Sequence, residues 1–399
     1  MKHVKIITGL LFLFGLQADA QKKFYKTIIA DAEKQTQVML NAITDAKKDA
    51  TDSLLTSPRS LEQGKLKLVR PKDWTSGFFP GQLWFLYELT GNSQWKTQAE
   101  IFTAKIEQQQ YDATTHDVGF KIYCSAGTAY RLTGNQHYKA VIIQAATTLS
   151  KRFNATTGTI KSWDHMPRWK YPVIIDNMMN LELLFAASKL SGDSSFYKIA
   201  VAHANSTLKN HFRADNSSYH VVDYDTAKAG AILEKKTHQG FADESAWARG
   251  QAWGLYGYTM CFRETGDSIY LTQAKKIAGY ILRHKNLPKD LIPYWDFNAP
   301  GIPAEPRDVS AAAITASALY ELSLYSNKKQ YTKIAGKIVK NISKLYRSPI
   351  GEHKGFLLIH STGNKPFNSE VDEPLSYADY YFMEALQRSK KLQENKSLF

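Results

Sequence analysis

One turn, used five times, constrains this chain more than any other feature. It appears in "FLYELTGNSQWKTQA" (residues 85–99), "TAYRLTGNQHYKAV" (128–141), "AASKLSGDSSFYKIA" (186–200), "MCFRETGDSIYLTQA" (260–274) and "LYELSLYSNKKQYTKIA" (319–335). Each copy passes from the apolar end of a helical pattern through Gly-Asn or Gly-Asp into a new periodic segment. Gly91, Gly134, Gly192 and Gly266 mark the turn, and Asn327 takes that place in the fifth copy. A helix commonly stops on a residue with positive φ, which glycine adopts at least cost and asparagine next. An aromatic follows four residues later in every copy: Trp95, Tyr138, Phe196, Tyr270 and Tyr331. It is placed to start the partner helix and pack back on the turn. Successive markers lie 43, 58, 74 and 61 residues apart, room for a helical hairpin plus a connecting loop.

Repeat units of this kind cannot bury their apolar faces alone and must stack on neighbours. Five turns, plus "PLSYADYYFMEALQ" as a sixth first helix, predict six hairpins. The amphipathic stretch "KFYKTIIADAEKQTQVMLNAITDAKK" supplies the remaining outer helix. The expected fold is all-α: an (α/α)6 barrel, a six-hairpin toroid forming a single domain over residues 21–399. An open solenoid is the alternative, and the unequal spacings favour a ring with functional loops.

Counting back 16 or 17 residues from each marker reaches Trp74, Asp117, Asp176, Arg249 and Ser310. These five occupy equivalent places, at the starts of successive inner helices, so in a ring they share one rim. Helix N-termini present free N–H groups and partial positive charge, which suits an anionic ligand. Arg249 adds a bidentate partner for a carboxylate or sulfate, unless it is spent on an ion pair with Asp243 or Glu244. Trp74, Trp163, Trp247 and Trp253 offer flat faces for sugar rings, or ordinary core packing.

Asp176 sits in the apolar run "YPVIIDNMMNLELLF" (171–185). Pro172 fits a first helical turn, so Asp176 falls where the helix dipole lowers a carboxyl pKa. Its neighbours Ile174, Ile175, Met178 and Met179 push the other way by excluding water. If burial wins, Asp176 keeps its proton near neutrality and can act as a general acid. Asp117 would then be the second carboxylate of a pair that divides its roles.

Residues 1–20 combine Lys2 and Lys5, the short apolar run "VKIITGLLFLFGL" and an Ala18-Asp19-Ala20 end. That pattern predicts a cleaved signal peptide and a periplasmic or secreted protein; no segment is long and apolar enough for a membrane span. The net charge of +14 favours polyanionic partners. Acidic polysaccharide is the partner expected outside the cytoplasm, and no nucleic-acid module is legible. Cys124 and Cys261, the only cysteines, are expected as buried free thiols. No phosphate loop, nucleophile elbow or metal-ligand spacing appears, so no cofactor or metal is expected.

From about Lys72 onward the chain resembles glycoside hydrolase family 88, the unsaturated glucuronyl hydrolases. The resemblance is carried by "WTSGFFPG", "HDVGF", "VIIDNMMN", "HQGFADESAWARGQAWGLYGY", "DVSAAAITASALYEL" and "SYADYYFMEAL". It implies an (α/α)6 barrel that removes a 4,5-unsaturated uronic acid from the non-reducing end of glycosaminoglycan oligosaccharides made by lyases. An acid protonates C4 of the vinyl-ether double bond, water adds at C5, and the hemiketal rearranges. By motif match Asp176 is the acid/base and Asp117 the second essential carboxylate. His220, Gln239, Arg249 and Trp253 would bind the uronate, with Trp74 and Trp163 stacking on the sugars. A sister family acting on unsaturated rhamnogalacturonan fragments shares fold and mechanism. Some members read sulfate through Ser-x-x-Ser-x-Lys; here "HSTGNKPFNSE" carries Ser361, Lys365 and Ser369 at other spacings. The rivals are a non-catalytic toroid that binds acidic glycans and an ordinary two-carboxylate glycosidase.

Overall fold

In the computed structural model, four of the five turns close a helix in one way. Gly91, Gly134, Gly192 and Gly266 follow α2 (Phe78–Thr90), α4 (Thr128–Thr133), α6 (Leu181–Ser191) and α8 (Ala248–Thr265), with φ between 65° and 79°. A side chain at any of these positions would meet nothing within 4 Å, so the requirement for glycine is conformational, not steric. The next residue, Asn92, Asn135, Asp193 or Asp267, caps the following helix by accepting an N–H two residues on. The hydroxyl before each glycine, from Thr90, Thr133, Ser191 or Thr265, accepts the cap residue's own N–H. Each turn therefore satisfies the groups that two helix ends would leave bare. The partner helices are α3 (Ser93–Ile106), α5 (Gln136–Ser150), α7 (Ser194–Asn210) and α9 (Ser268–Arg283). The fifth copy differs. α10 (Val309–Leu322) ends at Ser323, and Asn327 takes its positive φ of 46° immediately before α11 (Lys328–Leu345).

The structure describes residues 2–48, 50–228 and 230–399, with side chains from Lys23 onward. The leader expected over residues 1–20 lies outside the residues whose side chains are described. α1 (Lys2–Lys48) packs outside α2, and α12 (Ser376–Gln393) is the sixth inner helix. The inner elements touch in ring order, α2 against α4 and the π-helical segment before it (Gly119–Gly127), that segment against α6, then α8, α10 and α12, and α12 closes back on α2. The chain is thus an (α/α)6 toroid. Among the described residues no helix is long and apolar enough to cross a membrane.

Two inner helices are buried around nearly their whole circumference: all fourteen residues of α10 and the first fourteen of α8 are buried. The outer helices are amphipathic, because one face packs inward and the other meets water. The five turn aromatics are all buried on this seam. Cys124 and Cys261 are buried free thiols, as expected.

Among the described residues four small antiparallel sheets decorate the ring, and no strand was expected from the sequence. They comprise β1 (Ser57–Glu62) with β2 (Lys65–Val69), β3 (Phe153–Asn154) with β4 (Thr159–Ile160), and β5 (Pro172–Ile174), β6 (Val221–Asp225) and β7 (Ala231–Lys236). β8 (Ser361–Asn364) pairs with β9 (Ser369–Glu373). They arise from the connections that lead from α1, α5, α7 and α11 back to the next inner helix, where segments long enough to pair lie side by side. A second difference concerns helix starts. Trp74 and Asp117 precede their helices, Asp117 by way of a π-helical segment (Gly119–Gly127), and Asp176 lies in a 3-10 turn (Ile175–Asn180) before α6.

Candidate active site

Two close contacts bring the predicted carboxylates to one place. Gly119 lies against Asn180: a Cβ there would sit 2.5 Å from Asn180 Oδ1, while Phe120 N donates to that oxygen at 3.0 Å. The π-helical segment that follows Asp117 is thereby tied to the 3-10 turn that carries Asp176. Asn177 anchors the same turn from below, donating to the Ile160 carbonyl at 2.8 Å. The pairing of β5 with β6 sets the other side. Ile174 lies opposite Val221, and Ile175 N donates to His220 O at 3.1 Å, so His220 stands directly behind Asp176.

Asp117, Asp176, Trp74, Trp163, Gln239 and Arg249 all line one cleft of about 330 Å³ at the rim of the ring. Six of the eight predicted site residues therefore converge. The other two do not reach the wall. His220 and Trp253 are buried, 3% and 0% exposed, and both lie beneath Asp176. The indole N–H of Trp253 faces the Asp176 carboxyl without closing a hydrogen bond. His220 and Trp253 thus stand behind the carboxyl, and the cleft wall is formed by the other six.

Burial decides the contest over Asp176. The residue is only 8% exposed, and loss of water pushes its carboxyl pKa up to about 7. Arg249 opposes that shift, and the charge of Asp117 adds to it. Asp117 is wetter and better held: Thr115 Oγ1 donates to its Oδ2 at 2.7 Å, and His116 Nε2 lies 3.2 Å from Oδ1. One pocket therefore holds a protonated acid near neutrality and a second acidic side chain held by a hydrogen bond from Thr115.

Arg249 is built in more tightly than expected. Its Nη1 pairs with Asp308 at 2.7 Å and donates to Thr362 O at 2.6 Å, and its Nη2 donates to Gly363 O. The alternative of a pair with Asp243 or Glu244 is corrected: those carboxylates engage Lys236 and Arg213. Asp308 accepts from Ser310 N and Ala311 N at the start of α10, so Arg249 links two helix starts to the β8–β9 hairpin. Gln239 joins it by donating to Gly363 O at 3.1 Å.

The cleft has further walls that the sequence reading did not assign. Arg59 forks onto Glu370 (2.5 and 3.0 Å) and Asp73 (2.8 Å), joining the β1–β2 and β8–β9 hairpins beside Trp74. Tyr377 packs on Trp74 with ring centroids 5.0 Å apart. Tyr377 and His116 stood in the motifs already singled out; Arg59 lies in a stretch with no motif. Among the described residues no group of three His, Cys, Asp or Glu side chains is arranged to hold a metal ion.

The sequence profile described as glycosyl hydrolase family 88 matches residues 23–390. This chain belongs to that family. It is 52% identical to an unsaturated glucuronyl hydrolase of Formosa agariphila over 327 residues, 81% of this chain and 82% of the relative. Two solved family structures share its shape. The crystal structure of an unsaturated glucuronyl hydrolase specific for heparin superposes with a TM-score of 0.86 at 43% identity, covering 93% of this chain and 99% of that one. The enzyme from Bacillus sp. (strain GL1), responsible for degradation of glycosaminoglycan, gives 0.84 at 29% identity, covering 93% and 97%. As a family 88 chain the protein is a glycoside hydrolase.

Proposed function

We propose that this hydrolase removes a 4,5-unsaturated uronic acid from the non-reducing end of lyase-generated glycosaminoglycan oligosaccharides, with Asp176 as the proton donor. The observation that carries the reading is a buried carboxyl with a pKa of about 7, exposed only toward a cleft that also holds Asp117. A vinyl ether is hydrated by an acid strong enough to protonate carbon yet still protonated at working pH, and Asp176 meets both conditions. It delivers its proton to C4. Water then adds at C5, and the Asp176 carboxylate, with Asp117 across the cleft, is placed to orient that water and take back a proton. The hemiketal opens and the leaving sugar departs. Trp74 and Trp163 give flat walls for the two rings.

The charge of the uronate is met by the cleft's summed field. Arg249 supplies a permanent cation, but its guanidinium is already engaged by Asp308 and two carbonyls, so the pull is largely electrostatic. The named activities of the relatives agree in kind: one is specific for heparin, and the Streptococcus agalactiae relative, 31% identical, is an unsaturated chondroitin disaccharide hydrolase. Heparin-like and chondroitin fragments are accordingly the substrates to try first. An exported location is part of the reading, supported by the leader-like pattern of residues 1–20.

The test is to incubate the protein with heparin, chondroitin and rhamnogalacturonan lyase products and follow the double-bond ultraviolet absorbance. Loss of absorbance with the glycosaminoglycan products is expected. Loss only with the rhamnogalacturonan product would move the chain to the sister activity; binding without loss would make it a lectin.

A further inference from the structure

Two buried polar atoms confront each other under the cleft and neither has a hydrogen-bond partner. They are Nε2 of His220 and Oδ2 of Asp176, 3.7 Å apart. The opposite nitrogen of the imidazole determines what that confrontation means. His220 Nδ1 receives two backbone N–H groups, from His238 at 3.0 Å and from Gln239 at 3.1 Å. A ring nitrogen that accepts from N–H donors carries no proton of its own. The ring is also neutral: burial holds its pKa well below the usual histidine range, aided by His238 and Arg249 and by the more distant His211 and His116. A neutral imidazole with a bare Nδ1 must carry its one proton on Nε2, and that nitrogen faces Asp176.

We infer that His220 is a tautomer-locked N–H donor that positions Asp176 and stabilises its carboxylate after the proton has left. The inference rests on Asp176 being the proton donor. Before transfer the pair is neutral acid against neutral imidazole, and the 3.7 Å gap is tolerable. As Asp176 gives up its proton it gains charge, and an N–H aimed at the oxygen that becomes anionic then closes to a charge-assisted hydrogen bond. His220 does not touch substrate and does not take the Asp176 proton, because its only vacant lone pair is occupied by the 238–239 turn. It is a positioning residue.

The groups facing this pair come from every element around it. α8 contributes Arg249 and, just before it, Trp247, whose ring lies 4.7 Å from that of His220. The segment before the π-helix contributes His116 and Asp117, the end of α7 contributes His211, and the turn after β7 contributes His238. α8 also contributes Trp253, whose unpartnered indole N–H faces the same carboxyl; none of these groups closes a hydrogen bond to Asp176 Oδ2, and Nε2 of His220 lies 3.7 Å from it.

Two substitutions separate the two nitrogens. His220→Asn places an amide oxygen near the Nδ1 position, where it can still accept the 238–239 N–H groups, and removes the donor toward Asp176. Without that donor the Asp176 carboxylate is less stable, so kcat should fall about ten- to a hundredfold. The alkaline limb of the pH–rate profile should move upward by about one pH unit. His220→Gln keeps a donor near the Nε2 position but loses the acceptor. KM should rise as Gln239 loosens, while the alkaline limb stays where it is in the unmodified protein. A His220→Asn profile that superposes on the unmodified one would reduce His220 to a structural part and overturn the inference. A direct readout needs no turnover. Nitrogen-15 spectra of the unmodified protein should show His220 as the Nε2–H tautomer, unchanged from pH 5 to 8. An Nδ1–H tautomer, or an imidazolium appearing in that range, would refute the assignment whatever the enzyme's substrate proves to be.

Discussion

Replacing Asp176 with Asn should abolish turnover and, at the same time, stabilise the fold in a pH-dependent way. The folded-state pKa of Asp176 is about 7 against an ordinary 3.8. The unfolded chain therefore releases this proton from about pH 4 upward, whereas the folded chain holds it to about pH 7. Across that window the unfolded state binds fewer protons, so stability falls as pH rises, and above it the whole deficit of about 4 kcal/mol is present. Asparagine has no proton to release and escapes this loss. Between pH 5 and pH 8 the stability advantage of Asp176→Asn over the unmodified protein should grow by about 3 kcal/mol. For a chain of 399 residues the unfolding entropy is about 0.8 kcal/mol per degree, which converts that growth to about 3–4 °C in Tm. Calorimetric scans of both proteins at the two pH values read it directly, and pH-independent effects of the amide cancel in the comparison. Parallel Tm curves would show that Asp176 is not proton-bound by burial. The general-acid assignment would then lose its basis even if the variant were inactive.

Three further outcomes follow from the same geometry. Because Asp176 must be protonated to act and its pKa is about 7, kcat/KM should be sustained below neutrality and decline about tenfold per unit above it; a profile flat to pH 9 would contradict this. Arg249→Ala leaves Asp308 fully buried with no counter-ion, frees the Thr362 carbonyl and leaves Gly363 O to Gln239 alone, and should cost about 3–5 kcal/mol in denaturant unfolding as well as activity. Gly119→Ala drives a methyl to within 2.5 Å of Asn180 Oδ1 and 2.7 Å of Asn180 Cα, backbone that cannot swing away. It should cost about 1–3 kcal/mol and depress kcat more than Gly266→Ala, which perturbs only a distant turn.

Much of this architecture could be read from the chain because its signals are local. The Thr/Ser-Gly-Asn/Asp turn encodes a helix stop and a helix start within four residues, so four hairpins announce themselves, and counting back along a helix of known pitch finds the rim. The fifth turn was harder: its connection runs from Ser323 to Asn327, and the positive-φ residue caps the next helix instead of closing the last. What escaped reading is non-local. β5 pairs with β6 from a different connection, and Arg59 meets Glu370 across 311 residues with no pattern to tie them. His220 illustrates the limit most clearly. The motif placed it at the site, but only the β5–β6 register shows that it stands behind Asp176. The outcome for Asp176 turned on degree: burial and helix dipole act in opposite directions, and only the packed surroundings determine which is larger.

The two-residue turns have a consequence for how such a chain can change. They lie at the far ends of α2, α4, α6 and α8, away from the helix starts that bear the cleft. Most of the variation in spacing between them is therefore taken up by the return connections at the opposite end. An insertion beside a turn glycine would unseat two helices at once, whereas the return connections, which already carry the sheets and the β8–β9 hairpin, can lengthen or shorten with the ring intact. A lineage built this way can exchange one oligosaccharide for another by rewriting its rim, while the positions that hold the barrel shut stay where they are.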